Sequence, residues 1–346
     1  MGIGTVRSGD LDAFVAECDL RGGLGAEGTK ELSTDFEYVP STKVDQSLDP
    51  FSDAYFGQQA ALYREIAGRE INQAEGERTP LDVDAHVAGQ NPYNSSDVQF
   101  IARHAGAIQT CLVVADLPKG AAVLDMGCGW GLSSEMMAFA GARVTAVDIN
   151  PLFAELVRQR ATRLGLPIDV VESDFDTYAD AREYDLVLFY ECLHHSLRPW
   201  VTLARLAPLV KPGGKFMWAG EPVNTIWWPH WGMRLDLDSV YCTRKFGWWE
   251  SGWSADFIGR CFARCGFTQT VVAGVGLDGG PIGFAVRHED AERVRPGGSP
   301  RPDANAQPEV AELTRQLERL RASRSWRLTA PVRAASQLSY RLFGRR

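Results

Sequence analysis

Residues 121–150 read AAVLDMGCGWGLSSEMMAFAGARVTAVDIN and hold the strongest structural pattern in the chain. A short apolar run ends in Asp125, glycines follow at every second position from 127 to 131, and a helical segment leads to a β-branched run that ends in Asp148. Strand, glycine turn, helix, strand and carboxylate are the parts of a nucleotide-binding βαβ unit. The stretch therefore predicts an α/β fold that binds a nucleotide, although the glycines also suit a plain tight turn between strand and helix.

The spacing of the glycines narrows the choice of nucleotide. Dinucleotide-binding folds place them as G-x-G-x-x-G, whereas this chain has D-x-G-x-G-x-G. The latter resembles the first motif of class I S-adenosylmethionine-dependent methyltransferases. The resemblance implies S-adenosylmethionine as cofactor and S-adenosylhomocysteine as product, with the glycine loop beside the methionine part and Asp148 on the ribose hydroxyls. The cofactor residues expected in this stretch are Asp125, Gly127, Cys128, Gly129, Gly131, Asp148 and Ile149.

Length and composition bound the class of protein. The 346 residues allow one large or two modest domains. A net charge of −8 argues against a general nucleic-acid binder, because such proteins usually carry a basic surface. The seven cysteines are scattered without zinc-ligand spacing, which favours reduced thiols. The N-terminus lacks the apolar core of a signal peptide and no run looks long enough to span a bilayer, so we expect the catalytic portion to be cytoplasmic.

The segments before the glycine motif differ in pattern. Residues 1–50 are rich in Gly, Asp and Ser without sustained periodicity, which predicts a loosely ordered arm. Apolar residues recur at helical spacing from 53 to about 74 and again from 96 to 114. The methyltransferase resemblance implies that helices within 51–118 form a lid over the cofactor. The lid candidates are Tyr55, Phe56, Tyr63 and Tyr93, for which ordinary helix packing is an equally good interpretation.

A regular alternation of helices and strands follows the motif. The predicted elements are a helix over 151–164, a strand over 168–171, a strand over 184–190, a helix over 199–209, a turn over 211–215, a strand from 216, a helix over 256–266 and a closing hairpin through 271–272 and 282–286. The L-x-K-P-G-G turn at 209–214 again resembles the same methyltransferases. Residues 119–288 are therefore predicted to form a Rossmann-like, doubly wound, mostly parallel seven-stranded sheet with helices on both faces.

Two further positions match the cofactor-binding pattern of the resembled family. Asp174 and Phe175 follow the strand over 168–171, where the family places an acid on the adenine amine and an apolar residue against the ring. A helix N-cap is an alternative role for Asp174. Tyr190, at the end of the next strand, completes the expected cofactor set.

Polar residues after two strands are the candidates for catalysis. Ligands bind beyond the carboxyl ends of strands in open α/β sheets, which singles out Glu191, His194, His195 and Glu221. Deprotonation of an acceptor alcohol favours a neutral imidazole, so His195 is the first choice and His194 the second, with helix capping as the structural alternative. The run also resembles the Glu-x-x-Glu-His of metal-assisted quinone methyltransferases. Because a His replaces the second Glu, we predict no metal ligand, with a divalent ion as a minor alternative.

An aromatic insertion over 222–255 is the most unusual part of the sequence. Seven of the ten tryptophans lie between 218 and 253. A cluster beside the active edge suggests the wall of a substrate pocket, although core packing suits each residue taken singly. The predicted substrate residues are Trp227, Trp228, His230, Trp231 and Tyr241. Three cations, Arg234, Arg244 and Lys245, are candidates to hold a phosphate or carboxylate on the acceptor, or to lie in solvent.

The C-terminal region has a different composition. Residues 289–308 are rich in Pro, Gly, Asp and Arg, which predicts a flexible linker, and 309–346 predicts a basic helical tail. Residues 323–331, SRSWRLTAP, resemble a tail segment of bacterial surface-polysaccharide biosynthesis proteins. Such a tail suits an anionic membrane surface or a protein partner.

These observations together predict an S-adenosylmethionine-dependent O-methyltransferase that acts on a sugar in a glycan or glycan precursor. The alternatives are a methyltransferase for another small molecule, a non-catalytic cofactor-binding scaffold in polysaccharide assembly, and a nicotinamide oxidoreductase. No nucleic-acid partner is expected, and the sequence leaves the oligomeric state open.

Overall fold

The computed structural model describes residues 4–78, 80–272 and 280–290. Seven strands within this part form the central sheet. They are β1 (Ala122–Met126), β2 (Arg143–Asp148), β3 (Ile168–Glu172), β4 (Tyr184–Tyr190), β5 (Val210–Ala219), β6 (Phe267–Val272) and β7 (Ile282–Arg287).

The strand order across the sheet is β6-β7-β5-β4-β1-β2-β3. The pairs from β5 to β3 are parallel, and β7 runs antiparallel to both β5 and β6. This confirms the predicted mostly parallel seven-stranded sheet with its closing hairpin. The order reverses between β1 and β4, and such a switch point opens a crevice at the carboxyl ends of the strands.

Eight longer helices lie in the described residues, and all but α1 and α7 correspond to predicted helices. They are α1 (Leu11–Leu20), α2 (Asp53–Ala67), α3 (Val98–Ala115), α4 (Leu132–Phe139), α5 (Pro151–Leu164), α6 (Pro199–Leu206), α7 (Leu237–Lys245) and α8 (Ala255–Arg264). Side-chain caps set several starts: the Ser52 hydroxyl accepts from the Tyr55 amide at α2, and the Asp97 carboxylate accepts from two amides at α3. Gly68 ends α2 earlier than predicted, with a φ of 67°.

Both faces of the sheet are covered. On β1, Leu124 and Met126 belong to one buried apolar cluster and Val123 to another. The first cluster includes residues of α2, α6 and α8, and the second includes residues of α3 and α4. A strand covered on both faces is apolar at nearly every position, which explains the continuous apolar run of β4.

The predicted turn over 211–215 is wrong as a separate element. These residues lie within the continuous strand β5, where Gly213 has a φ of 75° and the pairing with β4 shifts between Tyr184 and Leu186. Gly214 packs closely against the Tyr184 carbonyl, 2.9 Å from where a Cβ would lie. The two glycines therefore make an irregularity within a strand instead of ending it.

The N-terminal segment differs from the expected loosely ordered arm. It contains α1, short helical turns and a two-stranded parallel pairing of Thr5–Val6 with Glu37–Tyr38. Leu11, Phe14 and Cys18 are buried in the same cluster as the aromatic insertion. The arm is therefore part of the folded core.

The insertion folds against this N-terminal segment. Trp231–Met233 pairs antiparallel with Ser251–Trp253, and α7 lies between them in the chain. The Tyr55 hydroxyl donates to the Trp231 carbonyl at 2.6 Å, and the Tyr241 hydroxyl donates to Asp19 at 2.5 Å. Residues distant in sequence thus form one packed layer beside the sheet.

Helix α3 is apolar as well as long. By length and composition it could span a bilayer, with a mean hydropathy of 1.2, which differs from the expectation that no run is long enough. A core helix of a globular protein passes the same test. Here Ile108, Cys111 and Val114 pack into the cluster on one face of the sheet.

The described part ends just after β7. His288–Asp290 forms a helical turn, and the Asp290 carboxylate accepts a hydrogen bond from the Gly213 amide at 3.0 Å. The rest of the predicted linker and the whole predicted tail, residues 291–346, lie outside the described residues.

Candidate active site

A cavity of about 430 Å³ opens at the carboxyl ends of β1 to β4. Its size is within the range of small-molecule sites. The predicted site residues that line it are Gly127, Cys128, Gly129, Asp148, Ile149, Asp174, Phe175, Tyr190, Glu191 and His195. The fold therefore brings most of the predicted cofactor set to one place.

The glycine turn after β1 forms the floor of this cavity. Gly127 has a φ of 65°, and a Cβ there would lie 2.8 Å from Cys192 Cβ, so only glycine fits without a shift. A Cβ on Gly129 would meet no protein atom within 4 Å. The backbone at Gly129 thus faces open space that a ligand can fill, as a nucleoside cofactor requires.

Asp148 stands at the end of β2 with both carboxylate oxygens oriented by the backbone. Oδ2 accepts from the Gly129 amide and Oδ1 from the Asn150 amide, each at 2.8 Å. Burial raises the pKa of Asp148 to about 6. Each oxygen keeps a second lone pair, so the carboxylate is able to accept from a ribose diol.

Two residues of the predicted cofactor set support the structure of the glycine turn and do not face the cavity. Asp125 is buried, and its Oδ2 accepts from the hydroxyls of Ser133 at 2.7 Å and Ser134 at 2.5 Å. Gly131 is the N-cap of α4 with a φ of 86°, and a Cβ there would lie 2.6 Å from Val157 Cγ2. Neither lines the cavity, so the structure corrects both to supporting positions.

Asp174 and Phe175 line the cavity beyond β3. Asp174 Oδ1 accepts from the backbone amides of Asp176 at 2.7 Å and Thr177 at 2.6 Å. These bonds hold a turn, and since the described residues between β3 and β4 contain no helix, the helix-capping interpretation is wrong. The second carboxylate oxygen leaves the adenine role open.

The loop after β4 is held by a buried carboxylate. Glu221 accepts from the backbone amides of Cys192, Leu193 and His194 at 2.9–3.1 Å and from His194 Nδ1 at 2.8 Å. Neither Glu221 nor His194 lines the cavity. Both predicted catalytic residues are thus better described as positioning residues.

His195 lines the cavity but carries the wrong charge for a base. Burial opposes its protonation, but the carboxylates of Glu77, Glu250 and Glu221 outweigh burial and raise its pKa to about 10. Nδ1 lies 3.1 Å from the Trp249 carbonyl and 3.4 Å from Glu77 Oε2. An imidazolium cannot accept a proton, which is at odds with the prediction of a neutral base.

The structure adds several residues that sequence reasoning missed. The cavity is also lined by Gln73, Glu77, Phe100, His104, Trp130 and Trp248, together with the lid candidate Tyr93. Two local signals pointed to them: His104 interrupts the apolar stripe of α3, and Trp130 is a large aromatic inside a glycine turn. The other lid candidates do not line the cavity, since Tyr55 and Tyr63 are core residues and Phe56 packs against that core.

Trp248 of the aromatic insertion lines the cavity, but the predicted substrate residues of the insertion do not and are corrected. Trp231 and Tyr241 are buried in the core, and the Trp228 indole donates to the Met233 carbonyl. Trp227 and His230 do not line the cavity either. The cations are paired: Arg234 with Asp236, Arg244 with Asp12 and Lys245 with Asp19.

His194, His195 and Glu250 have possible ligand atoms within 4.8 Å of one another, close enough to share one cation. His194 Nδ1 is already bonded to Glu221. That the protein needs no metal stays a prediction.

Comparison with known proteins finds similarity to methyltransferases in part of the chain. A family described as "Methyltransferase domain" matches residues 124–218. The ubiquinone biosynthesis O-methyltransferase of Xanthomonas axonopodis is 43% identical over 100 residues, which are 28% of this chain and 42% of that protein. The enzyme of the same name from Erwinia tasmaniensis is 33% identical over 172 residues, or 49% of this chain and 63% of that one. The matched regions thus span about half the length of these curated relatives.

Among solved structures, a Burkholderia thailandensis 1,6-didemethyltoxoflavin-N1-methyltransferase with bound S-adenosylhomocysteine is 20% identical. It aligns with a TM-score of 0.43 over 59% of this chain and 84% of that one. The family match and the strand order agree with the glycine motif. Residues 124–218 are therefore similar to a methyltransferase domain, and the strand order is that of a Rossmann-like fold.

Proposed function

We propose that this protein transfers a methyl group from S-adenosylmethionine to a hydroxyl oxygen of an uncharged, planar acceptor. The proposal rests on one observation: two different groups of residues line the same cavity. One part is the glycine turn with Asp148, and the other is a group of aromatic rings, Tyr93, Phe100, Trp130 and Trp248. A donor and an acceptor can therefore meet inside the same enclosure.

The charge of the lining supports a neutral acceptor. Four carboxylate residues, Glu77, Asp148, Asp174 and Glu191, line the described cavity, and the lining contains no Lys or Arg. The imidazolium of His195 also lines it, with Nδ1 3.4 Å from Glu77 Oε2. Such surroundings suit a sulfonium cation and disfavour a phosphorylated acceptor, because like charges in a poorly solvated site repel strongly. A nucleotide sugar is the least suitable acceptor on these grounds.

Flat rings support a planar acceptor. Tyr93 and Trp130 have ring centroids 5.6 Å apart, and Trp130 lies edge-on to Phe153 at 4.9 Å. Aromatic faces favour stacked or edge-on rings. The names of the bacterial relatives indicate O-methylation in ubiquinone biosynthesis, and this supports oxygen as the acceptor atom here.

A glycan acceptor remains the second candidate because of one observation, the resemblance of residues 323–331 to tails of polysaccharide biosynthesis proteins. Its other support was the aromatic insertion, whose predicted substrate residues do not line the cavity. On this alternative the tail would bring the enzyme to a membrane or an assembly complex.

A screen with labelled methyl donor tests the proposal. The full chain is incubated with S-adenosylmethionine labelled in the methyl group and with simple phenols, nucleotide sugars or lipid-linked glycans. We expect label in a phenol such as catechol. Label only in a glycan would favour the second candidate, and binding of S-adenosylhomocysteine without transfer to any class would indicate a scaffold.

A further inference from the structure

His104 is a histidine of α3 that lines the cavity. Its side chain is only 16% exposed. Nδ1 lies 2.9 Å from the Tyr190 hydroxyl and 3.5 Å from Glu191 Oε2, at the end of β4. These partners occupy one ring nitrogen and leave Nε2 available to a ligand in the cavity.

Aromatic rings fix the plane of this imidazole. Tyr93 stacks on it with ring centroids 5.3 Å apart, and Phe100 meets it edge-on at 4.5 Å. Tyr93 and Phe100 also line the cavity. A planar acceptor among these rings would therefore present its hydroxyl near the same imidazole.

The neighbouring carboxylate is held in an unusual backbone conformation. Glu191 has a φ of 53°, and a Cβ on Gly220 would lie 2.2 Å from Glu191 Cγ. Strain of this kind persists where the surrounding structure over-determines it, and it concentrates at functional sites. The imidazole of His104, the carboxylate of Glu191 that orients it and the adjoining cavity thus form an arrangement typical of an activated general base.

We propose that Nε2 of His104 takes the proton of the acceptor hydroxyl, with Tyr190 and Glu191 orienting the ring through Nδ1. The inference rests on the proposed function and names its base. The acceptor O–H bond breaks and the proton passes to Nε2, which releases it later to water. When bound, S-adenosylmethionine supplies the methyl group: the C–O bond forms as the C–S bond breaks, and its electron pair stays on sulfur as S-adenosylhomocysteine.

The electrostatics agree with this role. Burial, and next the Arg103 charge, lower the pKa of His104 below its usual value, so the ring is neutral near pH 7. Burial in the cavity, with the Glu221 carboxylate, raises the pKa of Glu191 to about 7. Tyr93 and Tyr190 stay phenolic because burial raises the pKa of each. A carboxylate at Glu191 favours the imidazolium formed when the proton arrives.

His104→Gln tests the proposal, with the exposed His288→Gln as control. We expect kcat with catechol to fall about 100-fold, the usual scale of general-base catalysis, while the Kd for S-adenosylhomocysteine changes less than twofold. The loss should be much smaller with 4-nitrophenol, whose more acidic hydroxyl needs less help from a base. A kcat within threefold of wild type, or equal losses with both phenols, would overturn the inference.

A second measurement does not depend on the variant's folding. Nitrogen NMR of the histidine rings in the wild-type chain should show His104 at pH 7 with the proton on Nδ1 and a bare Nε2. A proton on Nε2 at that pH would exclude the role. Lack of methyl transfer by the wild type would refute the proposed function, whereas transfer retained by His104→Gln would refute only this inference.

Discussion

Nδ1 of His194 lies 2.8 Å from Oε2 of Glu221, inside the core and away from the cavity. The same carboxylate accepts three backbone amides of the loop that carries Glu191 and His195 to the cavity. Burial lowers the pKa of His194 well below its usual value, so the pair consists of a neutral imidazole and a carboxyl group. The pair therefore positions the loop without taking part in proton transfer.

The first prediction concerns Glu221→Gln. Burial raises the pKa of Glu221 from 4.5 to about 7, so the folded state holds its proton more tightly than the unfolded state. The stability from this group is present below pH 4.5 and is lost as pH rises through 7. The loss is about 3 kcal/mol, and the glutamine variant should not show it.

Urea unfolding at pH 5 and pH 8 measures this effect. Glu221→Gln should be less stable than wild type by roughly 1–3 kcal/mol at pH 5, because buried amides lose an acceptor. The gap should narrow at pH 8. Other buried carboxyl groups are the same in both proteins, so their contributions cancel in the difference in unfolding free energy. A difference that does not change with pH would contradict the raised pKa of Glu221.

The second prediction is that Asp148→Asn weakens S-adenosylhomocysteine binding by roughly 1–3 kcal/mol, as for a lost charge-assisted hydrogen bond. Asp169→Asn is the matched control, since Asp169 is an exposed residue of β3 that pairs with Arg182. Calorimetric titration gives both affinities. Equal affinities would remove Asp148 from the ribose role.

The third prediction separates packing from cofactor contact at Gly131. Gly131→Ala should lose about 1–3 kcal/mol of stability because its Cβ would meet Val157 at a positive φ. Gly57→Ala, at an exposed site in α2 with no atom within 4 Å, should gain about 1 kcal/mol. Thermal unfolding compares the two. The double variant Gly131→Ala/Val157→Ala should recover part of the lost stability. If it recovers none, close packing against Val157 does not explain why a glycine is needed at this position.

The fourth prediction distinguishes core from pocket aromatics. Trp231→Phe removes the indole hydrogen bond to the Pro50 carbonyl at 2.7 Å and should lower stability by about 1–2 kcal/mol without changing the acceptor KM. Trp130→Leu should raise the acceptor KM roughly 3- to 10-fold, as expected for a lost ring contact. A raised acceptor KM in Trp231→Phe with an unchanged KM in Trp130→Leu would indicate that the insertion binds the substrate.

The fifth prediction concerns the tail, which lies outside the described residues. Deletion of 309–346 should leave S-adenosylhomocysteine affinity unchanged and reduce sedimentation with vesicles of anionic lipid. A truncated protein that no longer binds the cofactor would show that the tail belongs to the fold.

Sequence patterns predicted the sheet well because its signals are local. The bounds of α5 and β4 were predicted to the residue, from a proline at the helix start and an unbroken apolar run. The glycine turn and Asp148 belong to one continuous stretch, so their proximity could also be predicted.

The errors arose where distant segments meet. Tyr55, an expected lid residue, and Trp231, an expected substrate residue, are 176 residues apart in the chain. They are joined by a hydrogen bond, and both are core residues. His195 was predicted to be neutral because Glu77, 118 positions earlier, could not be placed beside it from sequence. Periodicity shows that a residue is buried but not which neighbour it meets.

Calorimetric titration of the full chain with S-adenosylhomocysteine and, separately, with NAD tests the central claim most directly. We expect saturable binding of S-adenosylhomocysteine at one site per chain and no measurable heat from NAD. Tight binding of NAD with no binding of S-adenosylhomocysteine would contradict it.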